Sequence, residues 1–66
     1  MKTGTLYFAA DEWWAEFEPG CLDDSGLCDV AIGHGRTRDQ ATLAAMKNAE
    51  TDFGWHGAVK FEEQKP

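Results

Sequence analysis

The 66 residues of this chain suffice for one domain, residues 1–66, with a small hydrophobic core. Twelve acidic residues outnumber six basic ones, which gives a net charge of −6. The composition argues against direct nucleic-acid binding, which needs clustered Lys and Arg, and against a membrane helix, which needs roughly 20 apolar residues in a row.

Three strands are predicted in the first half of the chain, because apolar and polar side chains alternate in each. They cover residues 3–10, 13–18 and 27–33, and turn signals lie between them at Asp11-Glu12, Pro19-Gly20 and Asp23-Asp24-Ser25-Gly26. The predicted inner side chains are Leu6, Phe8, Ala10, Trp13, Ala15, Phe17, Cys28, Val30 and Ile32. The predicted outer side chains are Tyr7, Trp14, Glu16, Glu18, Leu27 and Asp29.

One helix and a last strand are predicted in the second half. Thr37 fits an N-cap with Gln40 at N3, and Ala-rich sequence follows up to residue 53, with Gly54 at C′. Residues at helical spacing are Leu43, Met46, Ala49, Glu50 and Phe53, while the side with Ala41 and Ala45 is narrow enough for close approach to a sheet. Residues 55–61 alternate as a strand, with Trp55, Gly57, Val59 and Phe61 inward, and residues 62–66 form a polar tail.

The predicted fold class is α+β, an antiparallel sheet of about four strands in the order β-β-β-α-β with one helix packed on one face. A single helix covers only one side of a sheet, so the other face is expected to meet water. That face is expected to combine acidic and aromatic side chains.

The acidic charge is concentrated in the first thirty residues, which hold seven acids and one lysine and therefore the whole net charge of −6. A basic protein surface is the partner that such a charge favours, and Trp14 and Tyr7 are the candidate apolar anchors. The alternatives are a face that serves solubility alone and a Trp14 that packs on Tyr7 or a loop. The candidate partner-binding residues are Tyr7, Asp11, Glu12, Trp14, Glu16, Glu18, Asp23, Asp24 and Asp29.

Catalysis, a cofactor and a metal are not expected from this sequence. Cys21 and Cys28 flank the turn at residues 23–26 and would lie opposite each other if Leu22 pairs with Leu27 across it. Two core thiols are favoured over a disulfide or a zinc site, because the spacing to His34 and His56 fits no standard zinc motif. The glycines around His34 suit a strand-to-helix turn better than an anion site. The chain start lacks an apolar signal stretch, so a cytoplasmic protein is expected. A monomer or a weak dimer is also expected.

Residues 35–49, Gly-Arg-Thr-Arg-Asp-Gln-Ala-Thr-Leu-Ala-Ala-Met-Lys-Asn-Ala, follow a short strand and resemble the Gly-x-Thr-x-x-x-Ala strand-to-helix passage of HicB-like antitoxins. Those proteins have a partial double-stranded-RNA-binding-domain fold with β-β-β-α order. The resemblance covers about a third of the chain and implies a small basic toxin as partner.

The size and acidity of the chain, and the passage Phe-Gly-Trp-His-Gly-Ala-Val-Lys-Phe at 53–61, are similar to those of small phage-encoded anti-CRISPR inhibitors. This resemblance implies a non-catalytic protein in the bacterial host cytoplasm. It would block DNA binding by a type I CRISPR surveillance complex (Cascade), with an acidic sheet face acting as a DNA mimic.

Overall fold

The computed structural model describes residues 2–21 and 28–64, and the side chains of Cys21, Cys28 and Asp29 lie outside the described part. Its elements are β1 (Lys2–Ala9), β2 (Glu12–Cys21), β3 (Cys28–Gly35), α1 (Arg38–Phe53) and β4 (Val59–Glu63). The predicted α+β class and β-β-β-α-β order are confirmed. The predicted turn at residues 23–26 and the outward position of Leu27 fall outside the described residues.

The four strands form one sheet in the order β3-β2-β1-β4. β2 pairs antiparallel with both β1 and β3, as predicted, but β4 runs parallel to β1. The cause is the helix: it takes the chain from β3 at one edge of the sheet back to the other edge, so that β4 enters in the direction of β1. The sheet is therefore mostly antiparallel, with one parallel pair at its edge.

The β1–β2 connection is a two-residue hairpin turn formed by Ala10 and Asp11. Ala9 pairs with Glu12, and the two residues between them have φ angles of 53° and 63°. Positive φ at both central positions is the type I′ geometry that fits the twist of a hairpin. Ala10 was predicted as an inner strand residue, which is wrong, because the turn begins there and its side chain is exposed.

Strand β2 continues past Pro19 and Gly20, where the sequence predicted its end. The register between β2 and β3 shifts between Phe17 and Gly20, which places the proline in a bulge, where the ladder needs no N–H from it. Beyond the bulge Cys21 pairs with Cys28, the opposition that the sequence predicted.

Both predicted helix ends are confirmed. The Thr37 hydroxyl accepts a hydrogen bond from the Gln40 backbone N–H at 3.1 Å, and the Gln40 side chain accepts one from the Arg36 N–H at 2.9 Å. Gly54 has a φ of 63°, and the N–H groups of Gly54 and Trp55 donate to the carbonyls of Glu50 and Ala49. The bond from the Gly54 N–H to the Glu50 carbonyl is the αL arrangement that favours Gly at C′.

The helix packs on the sheet through its alanines. Ala41, Ala45 and Ala49 are fully buried, whereas Leu43 is 67% exposed. Because alanine side chains are short, the helix axis lies close to the sheet. Leu43 is two residues from both Ala41 and Ala45 along the helix, so its side chain points away from the sheet. The core is completed by Leu6, Ala15, Phe17 and Ala31.

The face assignment predicted for β3 is inverted in the structure. Val30 and Ile32 are each 44% exposed, and the residues toward the helix are Ala31 and Gly33. The hydrophobicity of Val30 and Ile32 predicts that they face the core. The helix packs so closely on β3, however, that only small residues fit between the strand and the helix. The predicted inner position of Phe8 is likewise only partly met: it lies near the end of β1, is 57% exposed and packs edge-on against Trp13.

The last strand begins at Val59, four residues later than predicted. Gly57 has a φ of 150°, and the chain before it is not in a strand. Trp55 nevertheless points inward, with its ring 5.1 Å from that of Phe17, and Phe61 lies 5.9 Å from the same ring. Among the described residues, the only helix is too short and too polar to cross a membrane.

Candidate binding face

The side of the sheet opposite α1 is called the open face here. Strand pairing fixes its rows, because directly paired residues share a face. One row joins Tyr7, Trp14 and His34, and the next joins Thr5, Glu16 and Ile32. The described side chains of the open face are Thr3, Thr5, Tyr7, Ala9, Glu12, Trp14, Glu16, Glu18, Val30, Ile32, His34, Lys60 and Glu62.

The acidic character of the open face comes mainly from β2. Glu12, Trp14, Glu16 and Glu18 occupy alternate positions of that strand, so their side chains project to one side about 6.6 Å apart. Glu62 adds a fourth carboxylate from β4. Lys60 is the one described lysine on this face, so the open face carries a net negative charge beside its aromatic side chains.

Trp14 is held in a defined position on the open face. Its indole N–H donates to the Ala9 carbonyl at 2.9 Å, and its ring lies 5.0 Å from that of His34. The imidazole Nδ1 of His34 is in turn 3.4 Å from the Glu12 carboxylate. The indole is half-buried, so part of it stays accessible and its orientation is fixed before any partner arrives.

Tyr7 and Glu16 are diagonal neighbours on β1 and β2. The pKa of Tyr7 is raised above 10.0, first because the phenol is desolvated and then because the Glu16 carboxylate repels the phenolate and accepts the hydrogen bond of the phenol. The neutral phenol is therefore the form that the fold favours. The contribution of the Tyr7 phenol to the free energy of unfolding is fully present below pH 10.0. It is lost as the pH rises through the raised pKa of Tyr7.

We expect Glu16→Gln to lower the pKa of Tyr7 toward 10.0, because the variant removes the carboxylate charge and leaves the desolvation. Tyr7 is the only tyrosine, so an absorbance titration of phenolate reports this group alone. Glu18→Gln is the matched control and should leave the titration unchanged. An equal shift in both variants would contradict the assigned contact.

A shallow depression of about 440 Å³ lies on the open face between β1, β2 and β3. Its lining includes Lys2, Thr3 and Thr5, the acidic residues Glu16 and Glu18, and the aliphatic residue Val30. The two carboxylates outnumber this one lysine, and carboxylates beside an aliphatic surface suit a lysine or arginine side chain, which has a charged end and an apolar stem.

The predicted partner-binding residues do not all share this face. Tyr7, Glu12, Trp14, Glu16 and Glu18 lie on it, and Asp11 is exposed at the tip of the adjoining hairpin. Asp23 and Asp24 lie outside the described residues, and for Asp29 only the backbone, paired with Gly20, is described. The residues that the sequence interpretation missed are Val30, Ile32, His34, Lys60 and Glu62. The sequence feature that could have placed Val30, Ile32 and His34 on the open face is the pair of small residues between them, Ala31 and Gly33.

The strand-to-helix turn around His34 uses its glycines for packing. A Cβ on Gly33 would lie 2.1 Å from the Ala45 nitrogen, and one on Gly35 would lie 2.5 Å from the Gln40 Cβ. Nearby, the Arg38 guanidinium contacts the Glu63 carboxylate at 2.5 Å and lies 4.3 Å from the centre of the Trp13 ring. Within residues 2–21 and 28–64, His, Cys, Asp and Glu side chains form no group of three or more that could hold a metal.

Comparison with known proteins found no matching family model, no matching curated protein and no matching solved structure.

Proposed function

We propose that this chain is a non-catalytic inhibitory binding protein whose open face covers a basic, nucleic-acid-binding surface of a bacterial protein complex. The observation that carries the proposal is the line of Glu12, Trp14, Glu16 and Glu18 along β2, on the side of the sheet that α1 leaves uncovered. The resemblance to small phage inhibitors suggests the target, a type I CRISPR surveillance complex. The carboxylates would then take the place of DNA phosphates.

Charge and apolar surface have separate roles in this proposal. Carboxylates facing Lys and Arg accelerate association and make it sensitive to salt, and they add less to the lifetime of the complex. The accessible part of Trp14, with Val30 and Ile32 on the neighbouring strand, supplies apolar area that slows dissociation. Because the hairpin carbonyl and His34 already orient the indole, little conformational entropy is lost on binding.

The test is a charge reversal of the open face. The double variant Glu16→Lys/Glu18→Lys should weaken binding to purified surveillance complex by about 100-fold or more, because two attractive contacts become repulsive. The matched control is Glu50→Lys/Asp52→Lys, which changes the net charge equally on exposed positions of α1. Affinities are measured by calorimetry at two salt concentrations, with circular dichroism to establish that both variants fold.

Two outcomes would contradict the proposal. Unchanged affinity of the folded open-face variant would show that the acids of this face do not make the contact. An equal loss in the control would show that net charge, and not the open face, governs binding.

A second candidate is a HicB-like antitoxin role, favoured by how residues 35–49 fold. They form a tight strand-to-helix passage with Thr37 at the N-cap and Ala41 buried, and these two residues belong to the Gly-x-Thr-x-x-x-Ala pattern. The partner would then be a small basic toxin. Co-expression with the product of an adjacent small reading frame distinguishes the candidates: rescue of growth supports the antitoxin role, and inhibition of CRISPR interference supports the first proposal.

A further inference from the structure

The sheet has two edge strands, β3 and β4. They differ in whether other parts of the chain occupy their outward-pointing backbone groups. On β3 the carbonyl of Ile32 points away from β2 and accepts a hydrogen bond from the Asn48 side-chain amide at 2.6 Å. The helix therefore occupies an acceptor in the middle of that edge. An incoming strand would have to displace Asn48, which makes β4 the more available edge.

The outward backbone groups of β4 follow from its ladder with β1. The Lys2 N–H donates to the Ala58 carbonyl at 3.3 Å and the Gln64 N–H donates to the Leu6 carbonyl at 2.7 Å, one bond at each end of the paired segment. A parallel ladder between these bonds turns the amide groups of residues 60 and 62 toward β1. The N–H and C=O groups of residues 59, 61 and 63 consequently point away from the sheet.

The side chains of β4 select the strand that could pair there. Lys60 and Glu62 are exposed on the open face, one residue on either side of Phe61. If a second copy of β4 pairs antiparallel with Phe61 opposite Phe61, each Lys60 faces Glu62 of the other copy. A shift of two residues puts Lys60 opposite Lys60 or Glu62 opposite Glu62, and like charges directly opposite are destabilising. The charges are thus complementary in one register only.

Backbone geometry supports the same register. Residues 59, 61 and 63 carry the outward groups, so residue 61 would pair with its own copy and residue 59 with residue 63, each pair exchanging both N–H···O=C bonds. Such pairing is closed by a twofold axis through Phe61, which ends the assembly at two chains. An added parallel strand would leave a new free edge.

We propose that this chain forms a weak homodimer in which β4 pairs antiparallel with β4 of a second copy, centred on Phe61. The two four-stranded sheets then form one continuous sheet. Because the twofold axis is perpendicular to the sheet, both open faces lie on the same side and form a single longer surface. The proposal stands independently of the binding role above, since its evidence is the free edge and the β4 charges.

The test is a charge-swap cycle followed by sedimentation equilibrium over a range of concentrations. Lys60→Glu and Glu62→Lys should each raise the dimer dissociation constant by about tenfold or more, because two opposed pairs become repulsive in a symmetric dimer. The double variant Lys60→Glu/Glu62→Lys restores opposite charges and should return the constant to within about threefold of the original value. Circular dichroism establishes that each variant folds.

Amide hydrogen exchange locates the interface. The N–H groups of residues 59, 61 and 63 should become protected as concentration rises, while those of Lys60 and Glu62, already bonded to β1, should stay protected throughout. A chain that remains monomeric at millimolar concentration would overturn the proposal and leave the edge to a strand of another protein. A dimer without protection at 59, 61 and 63, or single variants without effect, would also overturn it.

Discussion

Gly33→Ala should destabilise the fold by about 3 kcal/mol or more, the largest effect expected of so small a change in this chain. The added Cβ would lie 2.1 Å from the Ala45 nitrogen, 2.5 Å from the Ala44 carbonyl carbon and 2.7 Å from the Ala41 oxygen. All three are backbone atoms of α1, so no side-chain rotation can relieve the overlap. The whole helix would have to move away from β3, which would open the contacts of the buried alanines.

Urea denaturation followed by tryptophan fluorescence measures this effect. The matched control is Gly54→Ala, because a Cβ there meets no atom within 4 Å and the cost is limited to a left-handed φ of 63°, about 1 kcal/mol. A domain of this size has only about 5 kcal/mol of stability, so the Gly33 variant should lose more than half of it and unfold at a much lower urea concentration. Equal midpoints for the two variants would contradict the close helix–sheet packing.

Phe17→Ala should cost about 3–4 kcal/mol, because it removes the one large aromatic side chain that is almost fully buried among the described residues. Phe17 is 3% exposed, and its ring contacts both Trp55 and Phe61 edge-on. These contacts attach the segment after the helix, including β4, to the centre of the sheet. The variant should therefore loosen β4 as well as lower the free energy of unfolding.

The control for this variant is Phe8→Ala. Phe8 is 57% exposed and packs on one aromatic neighbour, Trp13, so its removal should cost about 1 kcal/mol. Denaturation midpoints give the stabilities, and amide exchange of residues 60 and 62 shows whether β4 is released. A larger loss from the Phe8 variant would contradict the placement of the core at Phe17.

The elements best predicted from sequence are those that local chemistry determines. Thr37 and Gln40 begin the helix and Gly54 ends it, because the hydrogen-bonding groups at a helix end are satisfied by residues only a few positions away. Strand β2 was predicted on the correct faces, since its alternation of aromatic or small residues with glutamate is unambiguous. Trp14, Glu16 and Glu18 were assigned to the open face for this reason, and Tyr7 was assigned to it from the alternation in β1.

The errors arose where neighbours in space, and not in sequence, decide the outcome. In β3 the hydrophobicity of Val30 and Ile32 favours one face, but the approach of α1 admits only Ala31 and Gly33 beneath it. Pro19 ends a strand by local preference, yet a bulge absorbs it and β2 continues to Cys21. The helix face is not among these errors: the side with Ala41 and Ala45 was predicted to approach the sheet, and both residues are fully buried.

By itself the sequence determined that this is a small α+β domain, that its acidic charge lies in the first thirty residues and that one capped helix follows three strands. Tertiary structure decided which side chains share the uncovered face, adding Val30, Ile32, His34, Lys60 and Glu62 to the predicted acids and aromatics. It also decided that β4 runs parallel to β1 and forms an edge. The physical reason is that caps and alternation act over a few residues, whereas faces and edges depend on how closely a helix can approach a sheet.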